Sequence, residues 1–322
     1  MNKKVIDIRL IEYLVDHIDL YEANELIELL NTNCSNSVFA CIIEKKILAL
    51  NLTLPKSIRD KATGIRASNL SKLSFIKCLA KELEEVNIKV YLLKGMSFNN
   101  NFYDNNHPRG CSDIDILATK DNVDEIKAIL SKYGTESVPN QRKPHSNSYE
   151  SSWIINNRNR IYLDLHWYLL PPSEIKIEYR DILDETEPHP FYNSENIHCL
   201  SKAVNYYHLL LHMYKDANLL QQSLYDSIEL SKKFNDEDWA KLDNIAQNTK
   251  TEKIINFLIQ TINKTLNNKN YTFTEKIIST ENKIPIKLRK LILKYKFSKS
   301  NIEFIKFIIN YAYTYTRLKV KL

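Results

Sequence analysis

The stretch HPRGCSDIDILAT, residues 107–119, sets Asp113 and Asp115 one residue apart inside an apolar run of Ile114, Ile116, Leu117 and Ala118. Residues two apart on a strand project from one face, so the aspartates point together while Ile114 and Ile116 point into a core. Neighbouring carboxylates on one face repel. The pair therefore either lies solvated at a strand end or is compensated, and a divalent cation is the common compensator. The turn residues His107-Pro108-Arg109-Gly110 fit a strand that opens just after them.

The flanks add to this. Upstream, VYLLKGMSF (residues 90–98) reads as a strand over Val90–Leu93, running through Lys94-Gly95-Met96-Ser97 into a helix over Phe98–Tyr103. A strand-to-helix junction presents free backbone N–H groups and a glycine lets an anion approach, so Lys94, Gly95 and Ser97 mark a candidate phosphate cradle. Arg109, four residues before Asp113, is placed to make a charge-assisted contact with a phosphate held there. Downstream, IYLDLHW (residues 161–167) puts Asp164 in the middle of an apolar strand, where an unpaired carboxylate costs folding free energy. Three carboxylates on two strands beside a phosphate-binding turn form the constellation that two-metal phosphoryl or nucleotidyl transfer needs. His166 alternates with Asp164 and shares its face; it either orients a carboxylate or the acceptor, or packs as a satisfied histidine.

Working outward, the hydrophobic period divides the chain into three zones. Residues 1–86 have helical spacing, as in Leu10, Ile11, Leu14, Val15 and Ile18 and again in Phe75, Cys78, Leu79 and Leu83. Residues 87–200 carry strand-length runs (Val90–Leu93, Ile114–Leu117, Trp153–Ile155, Ile161–Leu165) and one helix, Asn122–Tyr133, ended by Gly134. Residues 201–322 return to the helical period. The expected class is α+β: a small mixed sheet flanked by N-terminal and C-terminal helical regions.

Composition narrows the function classes. With 322 residues and 43% apolar content the chain buries a sizeable core. No stretch approaches the ~20 apolar residues of a membrane span, and the start MNKKVIDIRLIEYL carries Asp7 without a small-residue cleavage site, so the expected compartment is the cytoplasm. The five cysteines, Cys34, Cys41, Cys78, Cys111 and Cys199, are scattered without a CxxC pair, which argues against a disulfide framework and against a zinc site. The net charge of +6 is uneven: residues 283–321 hold eleven Lys or Arg against Glu303 alone, which either attracts a polyanion such as RNA or forms a solvated helix face.

Other polar residues fall on the later helices. In YYHLLLHMYKDANLL (residues 206–220), His208, His212 and Lys215 lie near one helical face, with Lys215 a candidate phosphate contact and His212 a weaker candidate site residue. Asp226, in LYDSIELSKKF, has an apolar surround and is a candidate partner for Lys215 or His212, or forms a helix-packing salt bridge. Tyr311, Tyr313 and Tyr315 either stack on bases or pack.

The run LLKGMSFNNNFYDNNHPRGCSDIDIL followed by YLDLHW resembles the uncharacterised nucleotidyltransferase family of the polymerase-beta-like nucleotidyltransferase superfamily. Lys94-Gly95, Tyr103, Arg109, Asp113, Asp115, Asp164, His166 and Trp167 match that family's pattern in order, and toxin-type nucleotidyltransferases are related. The superfamily's usual Gly-Ser or Gly-Gly turn is here Lys94-Gly95-Met96-Ser97, followed by a longer insert before Asp113. The resemblance implies a metal-dependent enzyme that moves an NMP from an NTP to an acceptor hydroxyl and releases pyrophosphate. It implies Mg2+ or Mn2+ held by Asp113, Asp115 and Asp164, which are also the catalytic residues. Lys94, Gly95, Ser97, Arg109 and Lys215 are then nucleotide contacts, and the acceptor is a small molecule, a protein or RNA. Two alternatives stand beside it: a toxin-like enzyme acting on tRNA ends, and a noncatalytic nucleotide-binding module.

Overall fold

A computed structural model describes residues 37–266, apart from 50, 52, 104–105, 138–148, 157–159, 173–174, 176, 178, 180–181, 184–185, 189–193 and 217–220, together with 290, 292–293 and 296–297. The helical spacing at Leu10–Ile18, Cys34, the tyrosines at 311–315 and nearly all of the basic stretch 283–321 lie outside the described residues. The chain divides into two compact units, the first drawn from residues 1–137, 152–167 and 183–201 and the second from 138–151, 168–182 and 202–322.

In the first unit, helix α1 (Ala40–Ala49) precedes the long helix α2 (Lys56–Glu85), which starts after Pro55. Ile58, Ala62, Ile65, Phe75, Ile76, Leu79 and Leu83 recur at three and four along α2 and are buried, whereas Cys78 is exposed. Two polar residues, Asn69 and Lys72, sit buried in the same stripe. After Asn87, at φ 53, comes strand β1 (Val90–Leu93). It leads straight into helix α3 (Lys94–Asn101), four residues earlier than the apolar pattern indicates, with Lys94 itself in the left-handed region at φ 46. Strand β2 (Asp113–Leu117) and helix α4 (Val123–Ser131) follow.

Strands β3 (Gly134–Glu136), β4 (Glu150–Ile155), β5 (Ile161–His166), β6 (Thr186–Pro188) and β7 (Ile197–Leu200) complete a mixed seven-stranded sheet of order β3-β4-β5-β2-β1-β7-β6. β1 runs antiparallel to β2 and parallel to β7, and β2 runs parallel to β5. Gly134 opens β3 and does not itself cap the helix: a Cβ there would stand 2.1 Å from the Ile154 carbonyl oxygen, so only glycine permits this strand approach.

The period-two alternation decides what each face of the central strands does. Ile114, Ile116, Leu163 and Leu165 are fully buried in one core with Phe75, Ile76, Leu79 and Leu83 of α2 and Ile126 and Leu130 of α4. Each such side chain contributes about 1.5–3 kcal/mol by leaving water. This packing fixes the register, since a one-residue slip would drive the aspartates into the core. The second unit is helical: α5 (Lys202–Asp216) packs on α6 (Gln221–Ser231), α7 (Asp236–Asn248) and α8 (Glu252–Leu266). Asn235 and Asp238 form a reciprocal cap on α7, and Lys202 Nζ stands 2.6 Å from Asp238 Oδ2.

Candidate active site

Parallel pairing of β2 with β5 puts Asp115 directly opposite Asp164, on the face that turns away from Ile114 and Ile116. His166, two residues beyond Asp164, shares that face, and its Nε2 lies 3.1 Å from Asp115 Oδ1. Asp115, Asp164 and His166 each bring a ligand atom within 4.8 Å of the others. Asp113 stands outside this group: it is half-buried at the start of β2, and its Oδ1 accepts a 2.9 Å hydrogen bond from Ser112 Oγ.

The two facing carboxylates are in opposite electrostatic circumstances. Burial works against ionisation of Asp115, but the Lys94 ammonium, with Nζ 2.7 Å from Oδ1, and the His166 contact outweigh it and hold the carboxyl well below the usual range. Burial likewise opposes the charge on Lys94, and Asp115, Asp113 and Asp164 together overcome it, so the amine stays protonated. Among the described residues, no Lys or Arg pairs directly with Asp164. Burial raises its carboxyl above the usual range, the Asp115 and Asp113 charges push the same way, and a Ser152 hydrogen bond and His166 offset only part. Two carboxylates with divergent proton affinities on one face are an arrangement suited to acid–base work.

The junction after β1 is built from contacts that the motif alone does not reveal. Gly95 lies buried in the first turn of α3, and a Cβ there would meet Cys111 Cβ at 2.5 Å and Arg109 Nη1 at 3.1 Å. The close approach that requires glycine is thus to the segment entering β2. Ser97 is fully buried. Arg109 is buried, its Nη1 donates to the Gly110 carbonyl at 2.9 Å, and its guanidinium carbon lies 6.0 Å from the Phe98 ring centre. From α2, Lys72 Nζ donates to the Cys111 carbonyl at 3.0 Å and Asn69 Nδ2 to the Arg109 carbonyl at 3.3 Å, clamping the chain just before Asp113. Burial pushes the Cys111 thiol up. Lys72 and Asn69 were not singled out from sequence; their signal is a polar residue at an apolar position of the α2 stripe.

The remaining expected site residues belong to the second unit. Lys215 Nζ donates to Tyr149 Oη at 2.8 Å. His212 Nδ1 lies 3.0 Å from Asp216 Oδ2, one turn along the same helix; burial raises the Asp216 carboxyl, but the His212 contact prevails and holds it below its ordinary value. Asp226 is buried in α6.

The family described as "Uncharacterised nucleotidyltransferase" matches residues 22–267. The chain belongs to this family. No curated protein matches the sequence. Among solved structures, an antigenic nucleotidyltransferase-like protein from Paracoccidioides brasiliensis is similar at 13% identity and a TM-score of 0.36, over 58% of this chain and 92% of that one. ANT(2'')-Ia in complex with adenylyl-2''-tobramycin is similar at 12% identity and a TM-score of 0.34, over 60% of this chain and 97% of that one. A solution structure of ANT(2'')-Ia gives 9% identity and a TM-score of 0.35, over 62% and 97%. Among the described residues, no helix is long and apolar enough to cross a membrane.

Among the described residues, Asp115, Asp164 and His166 form a donor set that could hold a divalent cation. Asp115 and Asp164 offer hard carboxylate oxygens and His166 a borderline nitrogen, all within 4.8 Å of one another. Oxygen ligands suit Mg2+ and Mn2+, and the imidazole favours the latter.

Proposed function

We propose that the chain transfers a nucleoside monophosphate from an NTP to an acceptor hydroxyl. The new bond joins the acceptor oxygen to the α-phosphorus, the α–β bridging bond breaks, and pyrophosphate leaves while the hydroxyl proton passes to a base. The observation that supports this reading is the placement of Asp115 opposite Asp164, with His166 beside both, in a chain of this family. A divalent cation held by Asp113 and Asp115 would neutralise triphosphate charge as a Lewis acid, and a second one shared by Asp115 and Asp164, with His166 beside them, would act at the acceptor hydroxyl.

Each remaining role follows from this chain's own groups. Asp115, kept ionised by Lys94, is the fixed negative anchor. Asp164, which lacks the direct Lys94 ion pair that Asp115 has, is the carboxylate of the pair available to take the acceptor proton. Lys94 and the first-turn N–H groups of α3, which have no partner within the helix, face the triphosphate as donors. Lys72, Asn69 and Gly95 act through others: they hold residues 109–111 so that β2 enters the sheet with its aspartates aimed at β5.

The test separates binding from chemistry. Transfer of label from each α-labelled NTP to a panel of hydroxyl acceptors is measured in wild type, Asp115→Ala and Asp164→Ala. Asp115→Ala loses metal-dependent NTP binding, and Asp164→Ala keeps binding while transfer falls by at least about 100-fold, the usual weight of a general base. Wild-type turnover by Asp164→Ala would contradict these roles. The excess of eleven Lys or Arg over one acid in residues 283–321 favours an RNA end as a second acceptor class. For that acceptor, affinity falls steeply with salt.

A further inference from the structure

Lys94 does two things at once that a simple phosphate contact would not. It begins α3 in the left-handed region, a conformation that costs a non-glycine residue strain, and it places its ammonium on Asp115 Oδ1 at 2.7 Å. The same Oδ1 is 3.1 Å from His166 Nε2. Both contacts fall on Oδ1, and any metal ion using that oxygen must compete with the ammonium.

We propose that Lys94 is a built-in counterion that competes with the metal for Asp115 and is handed to the polyphosphate when metal and nucleotide bind together. The inference rests on the metal-binding reading above and deepens it. Asp115 is buried while Lys94 is partly exposed, so the lysine is the partner able to leave. Its departure toward solvent exposes it to the phosphate oxygens of an incoming polyanion, which replace the carboxylate as acceptor. A metal ion arriving alone evicts the ammonium and offers it nothing in exchange; a metal–polyphosphate complex evicts it and supplies a new partner. The two ligands are therefore positively coupled through one side chain, and by linkage the coupling is reciprocal. Lys94 thus makes the metal–triphosphate complex, rather than the bare ion, the preferred ligand. A fixed phosphate-binding lysine with no hold on Asp115 would leave metal affinity unchanged on neutralisation.

The test needs neither an acceptor nor turnover. Mn2+ binding is followed by electron paramagnetic resonance of the free ion, and binding of preformed Mn2+–tripolyphosphate by calorimetry. The proteins are wild type, Lys94→Asn, Lys94→Gln and Lys94→Arg, each with its fold checked by circular dichroism. Asparagine tolerates the left-handed backbone, so Lys94→Asn removes the charge with the least strain. The neutral variants bind Mn2+ alone at least about tenfold more tightly than wild type, a shift of about 1.4 kcal/mol, and bind the tripolyphosphate complex more weakly, whereas Lys94→Arg stays close to wild type. Equal or weaker Mn2+ binding by both neutral variants overturns the inference and leaves the metal site standing. Absence of Mn2+ binding in wild type and variants alike overturns the metal reading and this inference with it.

Discussion

Removing the charge of Asp164 should make the protein more stable while disabling it. Asp164 faces Asp115 across paired strands, with ligand oxygens within 4.8 Å. At that separation two like charges repel by roughly 3 kcal/mol at an effective dielectric of about 20. Lys94 is paired with Asp115 and attracts Asp164 at longer range, so Asp164 meets this repulsion chiefly with the Ser152 hydrogen bond and the attraction of His166. Asparagine keeps an acceptor oxygen for Ser152 and gives up the His166 attraction, leaving a net gain of about 1 kcal/mol, or about 2–4 °C in Tm. The pH dependence follows from the sign of the shift. Burial and the neighbouring carboxylates raise the folded-state carboxyl above its unfolded value, so its penalty is absent below the ordinary carboxylate range and grows as pH rises through the raised value. The Asp164→Asn advantage therefore grows as pH rises and fades on acidification. Thermal unfolding by circular dichroism in EDTA, at pH 7 and at steps down to about 4, the unperturbed carboxylate value, reads it directly. Excess Mn2+ reverses the ranking, because the ion stabilises the wild-type carboxylate pair. A lower Tm for Asp164→Asn than for wild type in EDTA at pH 7 would refute the reasoning.

Two further outcomes follow from the junction and from the thiols. Gly95→Ala forces a methyl group to within 2.5 Å of Cys111 Cβ, an atom that cannot move without backbone, and should destabilise by about 1–3 kcal/mol in urea titration; an unchanged midpoint would contradict the packing. Peptide mapping after limited iodoacetamide treatment should find Cys78, which is exposed, modified first among the described cysteines. Cys41, buried with its thiol pushed up to about 11, and Cys111 should lag well behind, and early modification of either would contradict the burial that raises their thiols.

What could be read from sequence tracks the strength of each periodic signal. β1, β2 and β5 were legible because their apolar residues must alternate or run continuously to meet α2 and α4, and the strands found differ by at most a residue at either end. The edge strands β3 and β6 were not, since three residues give no period, and in β7 the polar His198 breaks the apolar run that marks β1. The facing of Asp115 and Asp164 was only half legible. Alternation placed each aspartate on a strand face, but the pairing of β2 with β5 is a long-range fact no local pattern contains. Gly95 illustrates the same limit: a glycine at a strand-to-helix junction signals a close approach, and the structure shows that Cys111 makes it. The grip of Lys94 on Asp115 links residues 21 apart and arises from the antiparallel pairing of β1 with β2, which brings Leu93 beside Asp115.

The central claim, a metal-dependent nucleotide site built on the β2 and β5 carboxylates, is tested most directly by calorimetric titration with each of the four NTPs, with and without Mg2+. The double variant Asp113→Ala/Asp115→Ala is the control. The account predicts binding of at least one NTP that requires Mg2+ and vanishes in the double variant. NTP binding that persists in the double variant, or no binding to wild type with any NTP in Mg2+, would contradict it.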